Sequence, residues 1–191
     1  MTAIAAAPTA SAPKRTELTS ALIVAVLAVI GILATLGLRT AVTSGTTNVS
    51  AGGVTAAVPG TWRLAVGSGG VAFVASNPND LDQRYLARIV DPKGASLADI
   101  VARESAAKAG LKSGLVTVGT KDIVVGGTAG VSVTYAYVST SGGIATLIKG
   151  EDIFLPSGAK VLDLAYEAPA DAYDTGLDSF HAFVGSAKVA S

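Results

Sequence analysis

An uninterrupted apolar stretch near the N-terminus most restricts what this chain can fold into. Residues 18–38 read LTSALIVAVLAVIGILATLGL, and from Ala21 onward they include no charged residue and no Pro, Asn or Gln. About 20 helical residues at ~1.5 Å rise span the ~30 Å hydrocarbon layer of a bilayer. A buried core helix fits less well because this stretch has no polar face for water. The sequence therefore predicts a membrane-spanning helix over residues 18–38.

The residues around this stretch predict how the chain is organised. A signal peptide has an apolar run of about 7–15 residues and a small-residue cleavage site, whereas here the run is longer and Leu38 and Arg39 interrupt such a site. We expect an uncleaved signal anchor, with a cleaved signal peptide as the alternative. Lys14 and Arg15 precede the stretch, which places the N-terminus inside. We therefore expect a disordered cytoplasmic tail over 1–17, a Thr/Ser/Gly linker over 39–53 and an extracytoplasmic domain over 54–191, in the periplasm or at the cell surface.

The predicted membrane helix offers no ionisable side chain, so it carries no proton or ion path and serves for anchoring or docking. Small residues at helical spacing would let another helix approach closely, although such residues are also common in any membrane helix. The positions that define the span and its small-residue face are Leu18, Ala21, Ala25, Ala28, Gly31 and Leu38.

Composition excludes several kinds of chemistry. The 191 residues include no Cys and one His, so disulfides, thiolate metal sites and multi-His metal motifs are excluded. Residues 54–191 carry 11 Lys and Arg against 13 Asp and Glu, a formal net charge of −2, which argues against a nucleic-acid partner. The Gly-rich segments lack the phosphate-loop pattern and are typical of hairpin turns. We expect no cofactor and no metal.

The pattern after residue 53 is mostly that of β-strands. Short apolar runs are separated by turn signals such as Pro59-Gly60 and Gly126-Gly127, which favour antiparallel hairpins. Val131, Val133 and Tyr135 alternate with smaller or polar residues, so one face of that strand meets a core. With two helices among these strands, the predicted fold class is α+β, a single transmembrane helix followed by an antiparallel sheet flanked by helices.

Two segments predict the helices of this domain. Ser96 and Asp99 form a capping box before a helix over 97–109, which Gly110 should end, and Glu104 and Lys108 should pair on its solvent side. A second helix should begin near residue 171 and pack on the sheet, although its Gly176 weakens it by up to ~1 kcal/mol relative to Ala. Its apolar stripe consists of Tyr173, Leu177, Phe180 and Val184.

Four segments resemble the PsbP-like family. AAVPGTWRLA is similar to its opening strand, SLADIVARESAAKAG to its first helix, DIVVGGTAGVSVTYAYV to its Gly-Gly hairpin, and GAKVLDLAYEAPADAYDTGLDSFHAFVGSAKV to its last strand and closing helix. The resemblance covers about residues 54–189 and implies an α/β/α sandwich. The best-known members are extrinsic, non-catalytic subunits bound to photosystem II. The resemblance thus implies an accessory subunit, although this chain departs from the plant members in its membrane helix and no docking residue carries over.

Few residues suggest a catalytic, metal-binding or ligand-binding site. Asp178 stands near enough to hydrogen-bond His181, but no G-x-S-x-G nucleophile accompanies them, and a surface His beside an acid is the simpler interpretation. Asp171, Asp174 and Asp178 would bind Ca²⁺ weakly, or only favour the positive start of a helix. A ligand groove, or simply the core of the sheet, is predicted for four aromatic residues, Trp62, Tyr135, Tyr137 and Tyr166.

Two functional hypotheses follow. The first is a membrane-anchored extracytoplasmic accessory protein that is not an enzyme. Its partners would be the lipid bilayer and a larger membrane complex, photosynthetic or respiratory, on which it docks. The alternative is an extracytoplasmic module that binds or senses a small ligand in a pocket between sheet and helix. An enzyme would need Asp178 and His181 beside a third polar group in a cleft. The oligomeric state stays open.

Overall fold

The computed structural model describes residues 45–140 and 143–190. In this part of the chain, ten strands and two helices follow one another. The strands are β1 Thr46–Ala51, β2 Val54–Pro59, β3 Arg63–Val66, β4 Val71–Asn77, β5 Asp80–Val90, β6 Val116–Val125, β7 Thr128–Ser139, β8 Thr146–Ser157, β9 Lys160–Pro169 and β10 Lys188–Val189. The helices are α1 Leu97–Leu111, between β5 and β6, and α2 Tyr173–Ser186, between β9 and β10.

The main sheet has seven strands in the order β3-β4-β5-β9-β8-β7-β6, and every neighbouring pair is antiparallel. The predicted Gly-Gly hairpin is confirmed, because Gly126 and Gly127 connect β6 to β7 with positive φ angles of 56° and 84°. Only glycine adopts such angles without strain, and two of them in succession match the twist of a tight hairpin. β9, the last strand of this sheet in the sequence, lies between β5 and β8 at its centre.

A second sheet has three strands in the order β1-β2-β10. β1 corrects the predicted linker over 39–53, because Thr46–Ala51 forms a strand that pairs with β2 in register. Its β-branched Thr46, Thr47 and Val49 favour extended structure, and Val49 is buried. The Gly52-Gly53 pair is a hairpin turn with positive φ and not part of a flexible segment. The folded domain therefore begins before residue 54.

Helix α2 covers one face of the main sheet and forms the larger core. The predicted stripe is confirmed, since Tyr173, Phe180 and Val184 are buried and Leu177 packs against the same core. Phe183, which lies outside the stripe, is also buried, and its ring stacks on that of Tyr85 with centroids 4.9 Å apart. Aromatic rings from β4, β5, β9 and α2 thus pack together in this layer.

Helix α1 covers the other face with a smaller apolar contact. The predicted capping box is confirmed: the Asp99 N–H donates to Ser96 Oγ (3.2 Å) and the Ser96 N–H donates to Asp99 Oδ2 (3.3 Å). The predicted end at Gly110 is wrong, because the helix includes Gly110 and ends at Leu111. Its buried residues are Ile100 and Val101 alone, near its N-terminus. The C-terminal half of α1 therefore contacts the sheet through other side chains.

The expected α+β class with a mostly antiparallel sheet and a helix on each face is confirmed for the described domain. Within residues 45–140 and 143–190, no helix combines the length and apolarity that crossing a bilayer requires. The predicted tail over 1–17 and span over 18–38, with Leu18, Ala21, Ala25, Ala28, Gly31 and Leu38, lie outside the described residues and remain predictions.

Candidate functional site

A cleft of about 360 Å³ lies between the C-terminal half of α1 and strands β4, β5 and β9; we call it the α1 cleft. It exists because α1 leans over β7 and β8, leaving the β4 side of this face uncovered. Its apolar walls are formed by Val71, Val74, Leu86, Ala107, Leu111 and Ala165. Its charged lining consists of Arg84, Arg88, Glu104, Lys108, Lys112, Asp163 and Glu167.

The floor of the cleft follows from strand periodicity. Alternate residues of a strand share a face, so Arg84, Leu86 and Arg88 of β5 all point to the α1 side. In the antiparallel register they stand opposite three residues of β9: Arg84 faces Glu167, Leu86 faces Ala165 and Arg88 faces Asp163. Two cross-strand ion pairs therefore flank one apolar pair.

Both arginines bind these carboxylates through two nitrogens. Arg84 donates to Glu167 Oε2 from Nε (2.9 Å) and Nη2 (2.5 Å). Arg88 donates to Asp163 Oδ2 from Nε (3.0 Å) and from Nη2, and its Nη2 also lies 2.9 Å from Glu104 Oε2 on α1. This geometry holds the guanidinium groups in place, as forked pairing does in general.

Lys108 of α1 and Lys112, the residue that follows the helix, both reach down to the sheet. Lys108 Nζ lies 2.5 Å from both Asp152 oxygens and 3.0 Å from the Tyr135 hydroxyl. Lys112 Nζ lies 2.6 Å from the Tyr137 hydroxyl and 3.2 Å from Glu167. The ammonium groups also lie 4.5 Å and 4.2 Å from the centres of the two tyrosine rings, within cation–π range.

These contacts correct the predicted pair of Glu104 and Lys108 on the solvent side of α1. The helix turns both residues towards the sheet, where Glu104 pairs with Arg88 and Lys108 pairs with Asp152. Each finds a partner of opposite charge in the sheet, which the spacing along the helix does not reveal.

Two buried carboxyl groups of this network, those of Glu167 and Asp152, have pKa values shifted in opposite directions. Burial alone would raise the pKa of Glu167, but Arg84, Lys112 and Lys108 lower it to about 2. Burial raises the pKa of Asp152 to about 6, with Lys108 opposing the shift and Asp163 adding to it. Burial also raises the pKa of Tyr135, which therefore keeps its proton and donates to Asp152 and Glu167 (3.2 Å each).

Asp163 has one oxygen without a partner. Its Oδ2 is bound by Arg88, whereas its Oδ1 is buried and has no hydrogen-bond partner among the described residues. A buried acceptor in this condition is unfavourable unless another group satisfies it. The floor of the cleft is thus fully paired at Glu167 but not at Asp163.

The four aromatic residues predicted to share a groove lie on opposite faces of the sheet. On the α2 side, the rings of Trp62 and Tyr85 have centroids 4.4 Å apart, and the Tyr166 hydroxyl donates to the Tyr173 carbonyl (3.3 Å). On the α1 side, Tyr135 and Tyr137 hold the two lysines. The structure therefore does not bring the four together, although the latter two support the floor of the α1 cleft.

His181 faces a different acid from the predicted one. Its Nε2 lies 3.3 Å from Glu151 Oε2, and Glu151 Oε1 accepts a hydrogen bond from the buried Ser132 hydroxyl (2.5 Å). This cluster borders a second cavity of about 390 Å³ between β6 and α2. Among the described residues, no group of three or more His, Asp and Glu side chains is arranged to hold a metal ion, and Asp171, Asp174 and Asp178 form no such group.

Sequence reasoning missed the charged residues of the α1 cleft, although β9 carried a signal. It reads KVLDLAYEAP, with Asp163 and Glu167 at equivalent positions of an otherwise apolar strand. Acids in a buried strand need partners, and the matching signal is the spacing of Arg84 and Arg88 on β5. Reading the two patterns together requires knowing that β5 and β9 are neighbours.

No protein-family model matches this chain, and no curated protein matches it in sequence. Solved structures do match its fold. Cyanobacterial PsbP (CyanoP) from Synechocystis superposes with a TM-score of 0.57 at 14% identity, covering 76% of this chain and 93% of CyanoP. The chain has a PsbP-like fold. This bears out the fold that the sequence resemblance implies; at such low identity the likeness shows the fold alone.

Two further structures have the same architecture. LpqN of Mycobacterium tuberculosis, described as involved in cell envelope biogenesis, has a TM-score of 0.50 and 18% identity over 77% of this chain and 91% of its own. The Ran-binding protein Mog1p of Saccharomyces cerevisiae has a TM-score of 0.50 and 10% identity over 76% of this chain and 96% of its own. The PsbP-like fold thus occurs in proteins described in very different terms, so function must be argued from the site.

Proposed function

We propose that this domain is a non-catalytic, extracytoplasmic module that binds a small ligand in the α1 cleft. The observation that carries the proposal is the cleft itself: about 360 Å³ with apolar walls over a floor of fixed ion pairs. Ligand sites are typically concave, mostly apolar and equipped with a few fixed polar groups. The floor residues lie on strands and a helix, which hold them more rigidly than loops would.

The arrangement of charges favours binding over catalysis. The paired arginines and Glu167 keep their charges near neutral pH, so they orient a ligand without exchanging protons with it. In the second cavity the Glu151 carboxylate lies between the Ser132 hydroxyl and His181. A catalytic triad needs the imidazole next to the hydroxyl, and this order is the reverse.

A neutral, environment-sensitive fluorophore tests the proposal. We expect N-phenyl-1-naphthylamine to bind the full chain in mild detergent at one saturable site. Ala107→Trp fills the cleft from α1 and should weaken this binding at least tenfold. Ala106→Trp is the matched control, because it adds the same ring to the adjacent, exposed position outside the cleft lining. Equal affinity of the two variants would contradict the proposal.

A second candidate function is docking on a larger membrane complex. Its support is a group of exposed apolar residues at one end of the main sheet. Val138 of β7 is the direct cross-strand neighbour of Leu147 of β8. Val116 of β6 lies beside them, opposite Ala136 of β7. An exposed patch of this kind is typical of an interaction surface. The predicted anchor over 18–38 would keep the domain close to a partner held in the same membrane.

Native electrophoresis after gentle solubilisation tests the docking function. We expect the full chain to migrate in a larger complex, and Val138→Asp with Leu147→Asp to release it. Val66→Asp, at a more exposed valine on the opposite edge strand β3, is the control and should leave the complex intact. Migration of the wild-type chain only as a free monomer, without a companion, would argue against docking.

A further inference from the structure

We propose that the ligand of the α1 cleft is an amphipathic anion, a single carboxylate or phosphate head on an unbranched apolar chain. The inference rests on the proposed function, because it names the chemical class of ligand for the same site. The head would lie at Arg84 and Lys112, and the chain would run along Leu86 and Val74.

The depth of the charges is the first argument. Asp163 and Glu167 are 2% and 8% exposed in their side chains, so they lie beneath the surface of the cleft. Arg84, Arg88 and Lys112 are 36%, 26% and 25% exposed. A ligand entering the cleft therefore meets cations, and the carboxylates act from below to orient them.

The distribution of charge is the second argument. Arg84 and Lys112 share the single carboxylate of Glu167, which leaves an excess of positive charge at that end. At the other end, Arg88 pairs with both Asp163 and Glu104, which leaves an excess of negative charge there. Burial lowers the pKa of Lys112; Glu167 opposes this shift, and the neighbouring Arg84 and Lys108 add to it. An anionic head is therefore favoured at the Arg84 end.

The apolar lining is the third argument. Leu86 lies next to Arg84 on the same face of β5 and stands opposite Val74 of β4. Leu111, at the mouth of the cleft, is 86% exposed, which is an unfavourable position for leucine unless something covers it. An alkyl chain attached to the head would cover these side chains, whereas a free inorganic anion would not.

Displacement of the neutral fluorophore by a series of ten-carbon amphiphiles tests this inference. At neutral pH and low salt, below their critical micelle concentrations, decanoate and decyl phosphate should displace the probe at concentrations at least tenfold lower than decanol. Decyltrimethylammonium should be weaker than decanol. Acetate and inorganic phosphate should not displace the probe, because they lack the chain. Comparison of decanoate with decyl phosphate then distinguishes the two kinds of head.

Two variants at the mouth keep the test independent of folding. Leu111→Glu places a negative charge at the mouth without removing any ion pair, and Leu111→Gln is its neutral counterpart. We expect the two variants to bind decanol equally, but Leu111→Glu to bind decanoate at least fivefold more weakly than Leu111→Gln. Arg84→Gln should reduce the preference for decanoate over decanol, and Arg84→Lys should restore part of it.

The outcomes separate this inference from the proposed function. If decanol displaces the probe as well as decanoate, or if the cation binds best, the anionic ligand is overturned while the α1 cleft remains a binding site. If none of the amphiphiles displaces the probe and Ala107→Trp leaves probe binding unchanged, the proposed function itself fails.

Discussion

Glu167 accepts hydrogen bonds from Arg84, Lys112, Tyr135 and Tyr137 in a mostly buried position. Burial of one charged group is unfavourable, and partners of opposite charge offset that cost only when the geometry is good. Here the cationic partners outweigh burial, since the pKa of Glu167 falls to about 2. Single residues of this network should therefore affect stability in a pH-dependent way.

Glu167→Gln should make the free energy of unfolding depend less on pH below about pH 4.5. The pKa of Glu167 is about 2 in the folded protein and near 4.5 for an unperturbed glutamate, so its contribution to stability is complete above pH 4.5 and is lost as the pH falls towards 2. That contribution is about 3 kcal/mol. Urea unfolding of wild type and variant at pH 6, 4.5 and 3 measures the slope. The exposed Asp178→Asn is the control, and an unchanged slope in Glu167→Gln would contradict the assignment.

Asp152→Asn should have the opposite pH dependence. Burial raises the pKa of Asp152 to about 6, so its folded form binds a proton more tightly than the unfolded chain does. Its contribution is present below pH 4 and is lost as the pH rises through 6. We expect wild-type stability to fall more steeply between pH 4 and 7 than that of the variant, measured by urea unfolding. A steeper fall in the variant would show that Lys108 keeps Asp152 ionised.

Gly176 of α2 packs too closely against β9 to leave room for a side chain. Helix propensity alone predicts that Ala would stabilise this position, but a Cβ built there would lie 1.9 Å from the Tyr166 hydroxyl oxygen. We expect Gly176→Ala to destabilise the domain by about 1–3 kcal/mol through overpacking. In the same helix, Gly185 has open space around it, so Gly185→Ala should stabilise by about 0.5–1 kcal/mol. Thermal unfolding of both variants checks the contrast, and stabilisation by Gly176→Ala would contradict it.

At the scale of elements, α1 depends on its cap and its ion pairs more than on apolar burial. It buries Ile100 and Val101 near its start, while Glu104, Lys108 and the C-cap residue Lys112 contact the sheet through ion pairs. A helix with so little apolar contact has a low local stability. It is therefore suited to form one wall of a cleft that a ligand enters.

Ser96→Ala should weaken α1 specifically. The Ser96 hydroxyl accepts a hydrogen bond from the Asp99 N–H and donates one to Asp99 Oδ2 (2.6 Å), so both are lost in the variant. Loss of an N-cap costs about 1 kcal/mol. Hydrogen exchange should become faster in α1 and stay unchanged in β8 and β9. Ser105→Ala within the same helix is the control and should not accelerate exchange; equal effects of the two variants would contradict the role of the cap.

At the scale of the whole molecule, the central prediction is the membrane anchor over residues 18–38, because the docking function depends on it. Ala28→Asp with Gly31→Asp puts two charges at the centre of that span, and each charge there costs about 2.5–3.5 kcal/mol on insertion scales. We expect the wild-type chain to stay in the membrane fraction after carbonate extraction and the double variant to be released. Thr46→Asp with Ser50→Asp in β1, outside the predicted span, is the charge control. Release of the wild-type chain would refute the anchor, and with it the docking function.

Much of the fold could be predicted from local sequence because its elements have local causes. The β6–β7 hairpin follows from Gly126-Gly127, the start of α1 from Ser96 and Asp99, and the packing of α2 from its apolar stripe. Two local interpretations of element boundaries were wrong, Gly110 as a helix end and residues 46–51 as part of a linker. Residues 46–51 pair with the adjacent strand β2 and bury Val49, which outweighs their Thr/Ser signal, and α1 continues through Gly110 to Leu111.

Local sequence was enough to assign which residues share a face of each strand and helix, because the periods of 2 and 3.6 are properties of the backbone. It did not determine which strands are neighbours. Arg84 and Glu167 are 83 residues apart, and they meet only because β9 inserts between β5 and β8. The order of strands depends on the packing of the whole sheet against both helices, so the α1 cleft and the pairing of its charges exist only in the folded molecule.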